Sequence, residues 1–139
     1  MRLRIAAGLV AAVLGVTLVT SACSKGEGTV TIDGKEANDH GSTDIAGDST
    51  LEIEADNDGS DYYFSPTVVD ATAGQTILVE LKNEGDVDHN FTIDSLGISQ
   101  DVGPGETVDV EVTLPQSGNV TFYCAFHEGS GMLGEFTIS

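Results

Sequence analysis

The sequence is poor in positive charge. Five Lys and Arg stand against 23 Asp and Glu in 139 residues, a formal net charge of −18 at neutral pH. That deficit argues against nucleic acid as a partner and against charge-driven binding to anionic lipid head groups. It permits steering of cationic partners, and it equally serves solubility. Cysteine is also scarce, with Cys23 and Cys124 alone. No stretch beyond residue 22 carries a convincing helical period, which disfavours helical bundles and α/β layers. The one long apolar run, residues 5–19, is short for a full membrane span of about 20 residues.

That run sits in an export signal layout. Arg2 and Arg4 precede it, and Thr20-Ser21-Ala22-Cys23 follows it. The last four residues resemble the lipobox of bacterial lipoproteins, with Thr20 where leucine is usual. The resemblance implies that the Cys23 sulfur receives a diacylglycerol and that cleavage leaves it as the first residue. The expected organisation is a signal peptide over 1–22, a lipid-anchored flexible linker over 23–48 and a folded domain over 49–139. The expected location is exported, periplasmic or at the cell surface, and membrane-anchored. Beyond residue 22 the chain keeps only Lys25, Lys35 and Lys82 against all 23 acidic residues. With Cys23 lipidated, Cys124 is an exported free thiol, which calls for an explanation such as metal ligation.

The linker is read from its Gly, Asp, Ser, Thr and Lys content, although Thr29 to Ile32 has the makings of a short strand. His40 falls in it and reads as an exposed linker residue, with a second metal site as the weaker alternative. From Ser49 onward the pattern has period two. Leu51, Ile53 and Ala55 alternate with polar residues, as do Ile77, Val79 and Leu81, then Val108, Val110, Val112 and Leu114, then Val120, Phe122 and Cys124. Turn signals separate these runs, among them Ala73-Gly74, Gly103-Pro104-Gly105 and the stretch 115–118. Many short strands at this spacing predict an all-β sandwich or barrel.

The chemistry concentrates near the end of the chain. Cys124, His127 and Met132 follow the spacing Cys-x2-His-x4-Met, and His89 lies 35 positions upstream of Cys124. Met132 is the only Met beyond residue 22. Strand parity puts His89 with Phe91 and Ile93, Cys124 with Val120 and Phe122, and Met132 with Phe136 and Ile138, so these three lean toward the apolar interior. His127 lies in the loop between Cys124 and Met132, within reach of the surface. Taken singly, an inward His, a buried Cys and a buried Met are ordinary core residues. Together, two imidazoles, a thiolate and a thioether make a donor set that selects copper over zinc.

The stretch Phe122-Tyr123-Cys124-Ala125-Phe126-His127 through Gly131-Met132 resembles the ligand loop of plastocyanin-type cupredoxins. Asp88-His89-Asn90-Phe91 resembles the segment supplying their first His, and Phe64-Ser65-Pro66 and the run 103–107 are weaker likenesses. The resemblance implies a Greek-key β-sandwich of about seven to eight strands with one type 1 copper ion at one end. His89, Cys124 and His127 would make the strong bonds, and Met132 the long axial one. Asn90 would tie the two ligand segments together. His127 would be the electron port, in an apolar patch of Ala125, Phe126 and Leu133. The implied function is electron transfer with protein redox partners, cationic ones among them, by a monomer that is not an enzyme. Four protein ligands leave no open coordination position, and the chain has no His-x-His of the kind a multicopper oxidase needs. Two rival readings are copper capture or delivery on the same scaffold, and a metal-free adhesion domain.

Overall fold

The computed structural model describes residues 28–139. The signal peptide expected over 1–22 and the lipidation expected at Cys23 fall outside the described residues. Among the described residues, no helix is long and apolar enough to cross a membrane.

Among the described residues, twelve strands form three sheets: β1 (Gly28–Ile32), β2 (Lys35–Asp39), β3 (Ser42–Asp44), β4 (Thr50–Asp58), β5 (Asp61–Ser65), β6 (Val68–Ala71), β7 (Thr76–Asn83), β8 (His89–Ile93), β9 (Ile98–Val102), β10 (Thr107–Thr113), β11 (Val120–Tyr123) and β12 (Leu133–Ile138). One sheet has the order β10-β7-β4-β5, and the second has the order β3-β6-β12-β11-β8-β9. The chain changes sheet between β3 and β4, β5 and β6, β6 and β7, β7 and β8, β9 and β10, and β10 and β11, crossing repeatedly between the two layers of a Greek-key sandwich. β1 and β2 form a separate hairpin.

The period-two runs place their apolar residues between the sheets. Leu51, Ile53, Ala55, Ile77, Val79, Leu81, Val110 and Val112 are all buried. Four of the five phenylalanines make the centre: Phe122 lies 5.2–5.3 Å, ring centroid to centroid, from Phe64, Phe91 and Phe136. Gly134 pairs with Phe122 across β11 and β12, and a Cβ at Gly134 would lie 2.2 Å from the Phe122 ring and 2.7 Å from the Thr67 carbonyl oxygen. A glycine is what allows that ring to cross the neighbouring strand. The fifth phenylalanine, Phe126, is exposed.

Three expectations need correction. Residues 28–48 are not a flexible linker. Asp33 and Gly34, both at positive φ, form the two-residue turn of the β1–β2 hairpin, β3 pairs in parallel with β6, and Ile32, Ala37 and Ile45 are buried. An Asp-Gly pair between short alternating runs is a hairpin signal in its own right; the polar composition around it hid it. His40 accordingly is not an exposed linker residue: its ring stacks on Tyr63 at 3.3 Å and meets Asp61 at 3.1 Å. The strand count exceeds seven to eight, both because of β1–β3 and because the loop after Ile93 contains β9, which pairs with the whole of β8.

Candidate metal centre

His89 opens β8, a strand whose five residues are all buried. Cys124 follows directly on β11. The loop from Cys124 to Met132 is closed at its base by the Cys124 amide donating to the Met132 carbonyl at 3.0 Å. Inside it, the His127 amide donates to the Cys124 carbonyl at 3.1 Å and the Met132 amide to the His127 carbonyl at 3.3 Å. A single 3-10 turn, Glu128–Ser130, takes up the slack. These bonds fold the Cys-x2-His-x4-Met spacing into a compact loop.

The donor atoms of His89, Cys124 and His127 lie within 4.8 Å of one another. Cys124 Sγ is 3.5 Å from His127 Nδ1 and accepts the Asn90 amide at 3.3 Å. Cys124, His89 and Met132 have no exposed surface, and His127 is half-buried. The hydrogen bonds above fix the Met132 backbone to both Cys124 and His127.

The residues present fit a metal ion. Neither ring nitrogen of the buried His89 has a hydrogen-bond partner among the described residues. Buried polar atoms are nearly always paired, so two orphans on one ring point to a ligand. Burial, with His127 close by, pushes the His89 pKa down to about 4, and burial also lowers that of His127. Both rings are therefore neutral at pH 7 and offer lone pairs, the form a metal requires. One soft sulfur and two imidazoles suit copper.

Asn90 does tie the ligand segments together. Its backbone amide donates to Cys124 Sγ, and its side-chain oxygen accepts from the Ala125 amide at 3.4 Å and from the Thr92 hydroxyl. Its side-chain nitrogen donates to Asp101 at 2.7 Å and to Ser99 at 3.3 Å. Asp101, Ser99 and Thr92 were not foreseen as members. They follow from the β8–β9 register, which sets Asn90 opposite Asp101 and Thr92 opposite Ser99.

The expected surface patch is only partly right. Ala125 and Phe126 are exposed, with Phe126 edge-on to His127. Leu133 is not on the surface: it is 1% exposed and packs on Ile32 and Ala37. The β1–β2 hairpin covers the face it would otherwise present. A residue the sequence did not flag takes its place beside the site. Tyr62 of β5 stacks on His127, ring centroids 4.0 Å apart and planes within 9°.

Known proteins resemble this chain in family and in fold. The model of the cupredoxin-like domain family matches residues 9–138. Plastocyanin A'/A'' of Nicotiana tabacum is 34% identical over 103 residues, an alignment spanning 64% of this chain and 100% of that protein. Among solved structures, the fold is similar to that of a dithionite-reduced auracyanin from Roseiflexus castenholzii (TM-score 0.56, 22% identity, 66% of this chain and 97% of that one). It is similar also to auracyanin A, a blue copper protein from Chloroflexus aurantiacus (TM-score 0.55, 22% identity, 65% of this chain and 98% of that one). With the ligand segments, the sandwich and the family match in agreement, the chain belongs to the cupredoxin-like family, as a plastocyanin-like member.

Proposed function

We propose that this protein is a copper electron-transfer protein that carries single electrons through a type 1 site at the outer face of a membrane. The observation that carries the reading is the buried convergence of His89, Cys124 and His127 with both His89 nitrogens unpaired. His89, Cys124 and His127 would hold the ion strongly, and Met132 would supply the weak axial donor. Bound copper supplies a one-electron Cu(II)/Cu(I) couple whose potential responds to the axial ligand and to hydrogen bonding at the thiolate.

The chain's own residues do the rest. The Asn90 amide, aimed at Cys124 Sγ, stabilises negative charge on the sulfur. The aromatic core and the full burial of Cys124 and Met132 exclude water. His127, half-buried beside the exposed Phe126, offers the short route to a partner's surface. That burial favours keeping the ion over handing it on, and so disfavours capture or delivery. Export and tethering through Cys23 belong to the same proposal and rest on the layout of residues 1–23.

The test of electron transfer needs no known partner. The reduced protein is mixed with a cationic and with an anionic one-electron oxidant of matched driving force. The excess of acidic residues is expected to make the cationic reaction at least about tenfold faster at low salt. The advantage should fade as the Debye length falls from about 30 Å at 0.01 M to about 8 Å at 0.15 M. Rates equal for both oxidants and flat in salt would leave the charge to solubility alone. Copper released to a chelator faster than electrons are exchanged would favour the delivery reading.

A further inference from the structure

The β1–β2 hairpin lies outside the two-sheet sandwich, yet it grips the metal-binding loop. Asn38 of β2 is the centre of the grip. Its two side-chain N–H groups are divided between the Tyr62 carbonyl and the Ser130 carbonyl, each at 2.9 Å. Its backbone amide donates to the Gly131 carbonyl at 2.9 Å. One residue thus links β5, whose Tyr62 ring stacks on His127, with the segment that leads into Met132.

A second observation is independent of these bonds. Gly131 has φ +87°, and a Cβ there would lie 2.9 Å from Asn38 Oδ1 and 3.0 Å from its Cγ and Nδ2. The amide plane of Asn38 rests on the bare Cα of the residue before Met132, and no larger residue fits without displacing it. Around this centre, Lys35 pairs with Glu128 of the 3-10 turn, and Leu133 packs on Ile32 and Ala37. The hairpin therefore meets the chain at 128, at 130–131 and at 133, on both sides of Met132.

We propose that Asn38 is a positioning residue of the metal centre, acting as a clasp that fixes the approach of Met132 and the stacking of Tyr62 on His127. An amide is the group the task requires, because it donates twice from one planar nitrogen. Aspartate has the same shape and no donors, and would set a negative charge against two carbonyl oxygens. The inference rests on the copper reading for its effect on the bound ion, but not for its effect on the loop.

The experiment uses the full-length chain in two parts. Amide hydrogen exchange is measured on the metal-free protein for wild type, Asn38→Asp, Asn38→Ala and Val112→Ala. The last removes core volume in β10, in the opposite sheet, and serves as a variant of lowered overall stability. Relative to Val112→Ala, both Asn38 variants should speed exchange at Ser130, Gly131 and Met132 by about tenfold, the factor for losing one ordinary hydrogen bond. After copper loading, Asn38→Asp should shift both the reduction potential and the ratio of visible absorption bands, while Val112→Ala leaves them unmoved. Loop amides that exchange no faster than in Val112→Ala would overturn the clasp. Faster exchange with an unchanged spectrum and potential would overturn its reach to the metal centre. Failure of the wild type to bind copper would sink the functional reading instead and leave the exchange result to decide the clasp.

Discussion

Titrated with Cu(II), the Cys124→Ser variant is expected to show no intense visible band. That band needs a copper–thiolate bond, and Cys124 is the only thiol among the described residues. The substitution is close to isosteric. A serine hydroxyl still accepts the Asn90 amide that now meets Sγ at 3.3 Å, and the backbone bond from residue 124 to the Met132 carbonyl that closes the loop is untouched. The variant should stay folded, with a thermal midpoint near that of the metal-free wild type. Colour, and not structure, is what is lost. A Ser variant that remained blue would show that the sulfur is not a ligand.

The second large effect has opposite signs with and without metal. In metal-free protein His89 is a liability, because both its ring nitrogens are buried and find no partner among the described residues. Leaving a buried polar group unsatisfied costs roughly 1–3 kcal/mol. His89→Leu replaces the ring with an apolar side chain of similar volume, a swap that a packed core tolerates. The metal-free variant should therefore be more stable than metal-free wild type by about 1–3 kcal/mol. With copper the order reverses. At a free concentration a thousand times the Kd, binding stabilises the wild type by about 4 kcal/mol, and a variant lacking one of the three strong donors forfeits most of that. Denaturant midpoints with and without copper read both signs. A variant destabilised in both conditions would make His89 an ordinary core residue.

The same pair of residues shows how much was legible in advance. Cys124, His127 and Met132 are close in sequence, so their spacing carries the loop, and strand parity carries the inward direction of His89. Both signals are local. Asn90 was legible only through a family likeness. Its partners Ser99 and Asp101 depend on β9, a strand of mixed polarity that composition alone reads as loop. Leu133 was misplaced because its strand parity cannot reveal that a hairpin lies over that face. The strand at Thr29 to Ile32 is legible and forms most of β1, but its pairing with β2 is not, because apart from Ala37 the residues of β2 are polar and resemble a linker. Asn38 and Tyr62 are 92 and 65 positions from Ser130 and His127, respectively. No periodicity links residues across such distances; packing in three dimensions does.

The claim on which the rest depends is that His89, Cys124, His127 and Met132 together hold one copper ion able to cycle between two oxidation states. The direct measurement is a Cu(II) titration of the metal-free protein, followed in the visible region and then through a round of reductant and oxidant. The account predicts an intense blue band that saturates at one copper per chain, bleaches on reduction and returns on reoxidation. A weak band typical of nitrogen and oxygen ligands, or colour that does not return, would contradict it.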